Sequence, residues 1–209
     1  MREINGFYLP DNERHMERTI EKDPSGYQTQ ARLALMFAAA RYDLVIDVGA
    51  HIGTWAKDLS GAFRTVVAFE PVPSNIECLR RNVPSARIEA VALGAKPGRV
   101  NLSPVDDNTG ACYVWPDGEI SAECRTLDSY NLAPDAIKID VEGQELSVLQ
   151  GAVETLTTYW PALCIECKGG PERYGIGQFE SVKFAESLGY DMILQINGDF
   201  ILKKRRQTQ

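Results

Sequence analysis

The stretch Leu44-Val45-Ile46-Asp47-Val48-Gly49-Ala50-His51-Ile52-Gly53 decides the fold. Its first five residues form a short, mostly β-branched run that reads as a buried strand. Gly49 and Gly53 permit a tight turn, and residues 54–59 read as the helix that follows. A glycine turn between an apolar strand and a helix is the setting of a nucleotide-binding loop. Residues 65–69 supply the next strand, which stops at Glu70-Pro71 because a proline holds its predecessor extended. Glu70 lies 23 residues beyond Asp47, and in a right-handed β-α-β unit the two strand ends are neighbours. An acidic side chain there can bind both hydroxyls of a ribose.

Outward from this unit, strands continue to alternate with helices. Ser74-Asn75-Ile76-Glu77 has the form of a capping box and predicts a helix to about Asn82. Strands are expected at 87–93, 136–141 and 162–167, and helices at 144–150 and 179–188, closed by Gly151 and Gly189. A last hairpin, 191–196 and 200–203, turns at Asn197-Gly198. The alternation predicts an α/β fold, doubly wound around a mostly parallel seven-stranded sheet, with a C-terminal antiparallel hairpin. Residues 1–26 read as polar and irregular, and 27–41 as a packing helix, so 1–42 form an N-terminal extension to a domain at 43–209. Short strands at 100–102 and 111–115, divided by polar turns, mark 94–130 as an insertion over the site.

Composition narrows the class. Of the 209 residues 44% are hydrophobic, enough for a core, yet no apolar run approaches the roughly 20 residues that span a bilayer. The N-terminus has no apolar signal segment, and a cytoplasmic, membrane-free protein is expected. The five cysteines show no disulfide framework; Cys164 and Cys167 fall in an apolar run without the further ligands of a zinc site. A net charge of −7 disfavours a phosphate backbone as partner, so no DNA is expected, and Lys203 to Arg206 reads as a solvated tail.

The glycine spacing chooses among ligands. A pyrophosphate needs close backbone approach at three glycines, whereas the middle position here is His51. The turn suits S-adenosylmethionine, which carries ribose and adenine without phosphate and an ammonium that Asp47 could meet. A nicotinamide dehydrogenase is disfavoured on the same ground.

At the fourth strand Lys138, Asp140 and Glu142 alternate with Ile137, Ile139 and Val141, which places the three polar side chains on one strand face. In a sheet buried on both sides that arrangement is costly unless the groups pair or open on a cleft. Lys138 has a structural reading, an ion pair with Asp140 or Glu166. Asp140, Glu142 and Glu166, at carboxyl ends of strands, are candidate catalytic residues: a base for a hydroxyl acceptor, or holders of a divalent cation, with no metal site predicted. His51 could act as a base but is expected to hydrogen-bond within the turn or to the cofactor. His15 is expected on the surface, Tyr113 and Trp115 are candidate pocket walls, and Asn108 to Gly110 a candidate lid.

Three blocks carry a resemblance. Asp47 to Gly53, Phe69-Glu70-Pro71-Val72-Pro73-Ser74-Asn75, and Ile137-Lys138-Ile139-Asp140-Val141-Glu142-Gly143-Gln144-Glu145, followed by Leu149-Gln150-Gly151-Ala152, resemble the FkbM family of methyltransferases across about residues 43–167. The first forty residues, with Gly26-Tyr27-Gln28, look like those of short, often phage-encoded members. The resemblance implies a class I methyltransferase fold, S-adenosylmethionine as donor, and methylation of a hydroxyl on a sugar, glycan or other small molecule. The cofactor-binding set expected is Gln28, Asp47, Gly49, His51, Gly53, Glu70, Pro71, Val72, Val91, Ala92 and Asp140. The fourth strand end lacks the proline-rich element of amino-group DNA methyltransferases, while RNA or protein N-methylation, and a non-catalytic nucleotide-binding module, stay open. The acceptor and the oligomeric state are unread.

Overall fold

The computed structural model describes residues 1–23, 27–168 and 170–205. The chain begins with a hairpin, β1 (Arg2–Ile4) and β2 (Phe7–Leu9), then α1 (His15–Lys22) and α2 (Thr29–Ala38). The parallel units follow as β3 (Leu44–Val48), α3 (Thr54–Ala62), β4 (Thr65–Phe69), α4 (Pro73–Asn82) and β5 (Arg87–Glu89). A small sheet comes next, built from β6 (Ala92–Leu93), β7 (Gly98–Ser103), β8 (Tyr113–Val114) and β9 (Ile120–Arg125). The chain returns through β10 (Ala136–Ile139), α5 (Glu145–Gln150), α6 (Val153–Tyr159), β11 (Ala162–Glu166) and α7 (Glu180–Leu188) to the hairpin β12 (Tyr190–Ile196) and β13 (Asp199–Lys204).

The main sheet has seven strands in the order β12-β13-β11-β10-β3-β4-β5. It is parallel from β11 to β5, and β13 runs antiparallel to β11. From β3 the chain winds outward through β4 and β5, then crosses back to β10 on the other side of β3. That reversal opens a crevice at the carboxyl ends of β3 and β10, where doubly wound sheets bind ligands. One apolar layer packs the sheet against α5, α6 and α7 through residues such as Val148, Leu156 and Ala185. The other packs it against α2, α3 and α4 through Leu35, Leu59 and Leu79.

Several local expectations change. The segment expected as one strand at 87–93 breaks in two: β5 stays in the main sheet, and β6 pairs with β9 of the small sheet. The break aims Val91 and Ala92 toward the crevice. β10 ends at Ile139, and beyond it Glu142 and Gly143 adopt left-handed φ values of 57° and 102°, so Glu142 lies past the strand rather than on its face. No capping box forms at Ser74; α4 starts at Pro73, whose fixed φ suits a first helical residue. The segment expected to be irregular at 1–26 contains a hairpin with a two-residue Asn5-Gly6 turn at positive φ, and a helix that buries Met16 and Ile20. Asn82 ties that hairpin to the body, accepting from Tyr8 N at 2.7 Å and donating to Tyr8 O at 2.9 Å. Gly26 and Arg206 lie outside the described residues. Among the described residues no helix is long and apolar enough to cross a membrane.

Candidate active site

The two sheet strands that flank the crevice meet at Gly49. With φ of +77°, a Cβ here would stand 1.8 Å from the carbonyl oxygen of Asp140, so only glycine lets the end of β10 lie against the turn. Glu70 fixes the turn from the other side. Its carboxylate, 4% exposed, accepts the His51 amide at 2.8 Å through Oε2 and the Val72 amide at 2.9 Å through Oε1. Burial pushes the Glu70 carboxyl up, against the opposing pull of His51 and the two amides. Gly53, expected to approach a ligand, instead packs α3 on α4: a Cβ there would stand 2.6 Å from Leu79.

Two clefts share this turn. The first, a narrow space of about 70 Å³, is walled by Phe69, Pro71, Val72, Val91 and Ala92, with Glu70 as the carboxylate it does not share with the second and no Lys or Arg among its described lining. The second, of about 460 Å³, is polar and lined by Tyr27, Gln28, Trp55, Lys138, Glu166 and Lys168. Gly49, His51, Gly110, Asp140 and Glu142 line both, so these five residues form the junction.

Beneath the junction lies a buried charge cluster. Lys138, 4% exposed, donates to Gly49 O at 2.8 Å and stands 3.3 Å from Asp47 and 3.5 Å from Asp140. Burial pulls the lysine down, but Asp140 and Asp47 outweigh it and hold the ammonium charged. Asp47, expected beside an ammonium of the cofactor, lines neither cleft; it is sealed under the turn 3.3 Å from Lys138, where burial pushes its carboxyl up against the pull of that ammonium. Burial alone would raise Asp140; Lys138, joined by a hydrogen bond from Glu166, keeps it low. Glu166 carries the opposite shift, pushed up to about 9 by burial and then by the Asp140 charge. At neutral pH the pair therefore holds one proton, on Glu166, which donates to the Asp140 carboxylate. Gln28, with φ of 50°, donates to Glu166 at 3.2 Å and accepts from the Trp55 indole. Glu142 is pushed up to about 7 by burial and by Asp140 and Glu145.

An arch at 107–111 spans the junction. Asp107 O accepts the amides of Arg14 and His15, each at 2.9 Å, and Asn75 donates to Thr109 O at 3.1 Å. Glu13, fully buried, accepts the Thr109 amide at 2.6 Å and its hydroxyl at 2.7 Å. Burial pushes the Glu13 carboxyl up, but His51, the Met16 amide and Thr109 outweigh it and hold it down at about 2. The His51 Nε2 lies 2.8 Å from the Thr109 hydroxyl and 3.5 Å from Glu13. His51 thus bonds across to the arch and the N-terminal extension rather than within its own turn. Glu13 was absent from the sequence expectations, because its partner Thr109 is 96 positions away and nothing local marks it. His15 is exposed at the rim of the polar cleft. Tyr113 and Trp115 wall neither cleft: strand alternation turns Cys112 and Val114 inward instead, and the Tyr113 ring lies 3.8 Å from the Arg173 guanidinium. Among the described residues no group of three His, Cys, Asp or Glu is arranged to hold a metal ion.

Residues 47–192 match the family model described as the methyltransferase FkbM domain. The chain belongs to the FkbM methyltransferase family. The matched region starts at Asp47 and takes in the turn, Glu70, the arch, Asp140 and Glu142 after β10, and Glu166 at the end of β11. The hexuronic acid methyltransferase AglP of Haloferax volcanii is 31% identical over 148 residues, 65% of this chain and 60% of that protein. A crystal structure of methyltransferase FkbM from Methylobacillus flagellatus KT superposes with a TM-score of 0.54 at 19% identity, over 89% of this chain and 57% of that one. A TehB-like SAM-dependent methyltransferase from Corynebacterium glutamicum superposes with a TM-score of 0.52 at 13% identity, over 92% and 96%. The structural likenesses establish the class I methyltransferase fold. This chain spans about three fifths of the length of the first two relatives.

Proposed function

We propose that this protein transfers a methyl group from S-adenosylmethionine to a hydroxyl oxygen of a sugar or glycan. The observation that carries the reading is the junction: an apolar cleft with one buried carboxylate and a polar cleft meet at Asp140 and Glu142. The lining of the apolar cleft suits an adenosine, with Val72, Val91 and Ala92 for the base and Glu70 for the ribose, and the lack of a cation among its described residues suits a ligand without phosphates. When bound, S-adenosylmethionine supplies a methyl group on a sulfonium, open to in-line attack by a nucleophile. The chain's own residues then do three things. Gly49 and His51 hold the backbone close beneath the ligand. Gln28, Lys168 and the protonated Glu166 line the polar cleft with hydrogen-bonding groups for a hydroxylated acceptor. Glu142, reaching both clefts, can take the proton of the attacking hydroxyl, a role suited to a base that titrates near 7. The hexuronic acid methyltransferase among the relatives supports a sugar as the acceptor class. The five free cysteines fit a reducing, cytoplasmic site of action.

Calorimetry with S-adenosylhomocysteine and NAD tests the donor. Tight binding of the first and none of the second is expected, and the reverse would refute the reading. Glu70→Ala is expected to weaken S-adenosylhomocysteine by about 1.5–3 kcal/mol, roughly 10- to 150-fold, with the melting curve as the check on folding.

A further inference from the structure

The polar cleft continues past Gln28 and Lys168. Both residues also line a second, open groove of about 760 Å³, bounded by Thr29 and Gln30 at the start of α2 and by Asn197 and Asp199 at the tip of the β12–β13 hairpin. We propose that this groove is a subsite for a second sugar, so that the acceptor is an oligosaccharide with one residue at the junction and its neighbour across Gln28 and Lys168. The proposal rests on the sugar-methylating reading above and adds the length of the acceptor to it.

Three observations carry it. The first is continuity. Lys168 Nζ pairs with Glu166 in the polar cleft and stands 3.6 Å from Asp199 in the groove, so a row of polar groups runs unbroken from Asp140 outward. Its stem lies on the hairpin tip, where a Cβ on Gly198 would stand 2.6 Å from Lys168 Cγ; the positive φ of Asn197 and Gly198 makes that approach possible. The second is size. The two spaces, about 460 and 760 Å³, each fall within the roughly 300–1,000 Å³ of a pocket for a drug-sized ligand, which leaves room for a sugar in each. The third is chemistry. The groove's cations already face carboxylates, Arg32 with Asp58 at 2.7 Å and Lys168 with Asp199 at 3.6 Å, which disfavours a phosphate backbone there. Around them stand the amide side chains of Gln28, Gln30 and Asn197 and the Asp23 carboxylate, beside apolar edges from Leu33, Met36 and Ile196. Amides both donate and accept, which matches the hydroxyl-rich rim of a sugar, and the apolar edges match its C–H faces.

The test uses immobilised glycans, from monosaccharides to hexasaccharides with shared terminal sugars, and donor labelled in the methyl group. Oligosaccharides are expected to be labelled roughly tenfold or more above the matching monosaccharide, a gain of about 1.4 kcal/mol. Gln30→Ala and Asn197→Gly are expected to bring that ratio close to one. Asn197→Gly keeps the left-handed turn, and Gln30 is exposed, so melting temperature and S-adenosylhomocysteine affinity should hold. Equal labelling of mono- and oligosaccharides, or a ratio indifferent to both substitutions, overturns the subsite and leaves the sugar reading intact. If no glycan is labelled while S-adenosylhomocysteine binds, both fall together.

Discussion

Glu142→Gln is expected to lower turnover by about 10²–10⁴-fold while the protein stays folded and keeps its affinity for S-adenosylhomocysteine, since a positioned base typically contributes that much. Shape and hydrogen-bonding capacity are kept, so the loss reports the charge. The pH profile makes the assignment specific. Burial, Asp140 and Glu145 push the Glu142 carboxyl up to about 7, and a base works only when deprotonated. Wild-type turnover should therefore rise with pH through about 7, and that limb should vanish in the variant. Stability moves the other way. The folded value lies above the unfolded one, so the group's contribution is fully present below about 4.5 and is lost as pH rises through about 7. Above pH 7.5 the glutamine variant should be the more stable protein, by about 1–3 kcal/mol after allowance for solvent screening, with no difference near pH 4. An inactive variant that is also destabilised at high pH would mark Glu142 as structural. Asp140→Asn is expected to lose activity too, but through loss of the charge that holds Lys138 and the Glu166 proton in place.

Lys138→Met should cost about 3–5 kcal/mol of folding stability, the scale for leaving a buried charge without its partner. Asp47 is completely buried, and Lys138 supplies its only ion pair among the described residues. For a domain of this size the melting temperature should fall by roughly 6–20 °C. Adding Asp47→Asn removes the stranded carboxylate, and the double variant should recover most of the loss, a coupling that chemical denaturation measures directly. A loss under about 1 kcal/mol for the single variant would mean that Asp47 carries no charge to be balanced. The pair explains why a lysine sits in the middle of a sheet buried on both faces: it neutralises Asp47, clamps the glycine turn through Gly49 O, and sets the charge of Asp140.

The main sheet could be read from the chain because its signals are local. β3, β4, β10 and β11 are apolar runs, and the Asn197-Gly198 turn announces the last hairpin. The apolar cleft was legible for the same reason, since Glu70, Val72, Val91 and Ala92 sit at or just beyond strand ends. Elements too short to show a period were missed or misjoined: the three-residue strands β1 and β2, and the break that separates β5 from β6. α6 escaped because Gly151 reads as a helix end, although the chain resumes a helix two residues later. Residues whose role depends on distant partners stayed hidden. Glu13 matters through Thr109 and His51, and Asp47 faces Lys138 rather than the cleft. Strand periodicity also misplaced Glu142, because the left-handed turn after Val141 carries it to the junction.

Both the base role of Glu142 and the acceptor cleft depend on where the donor lies, and a crystal structure with S-adenosylhomocysteine bound tests that most directly. The adenosine should occupy the apolar cleft, with its ribose hydroxyls on Glu70 and its base against Val72 and Val91, and the sulfur should face the junction at Asp140 and Glu142. An adenosine seated in the polar cleft between Trp55 and Lys168, or a sulfur turned away from Asp140 and Glu142, would contradict it.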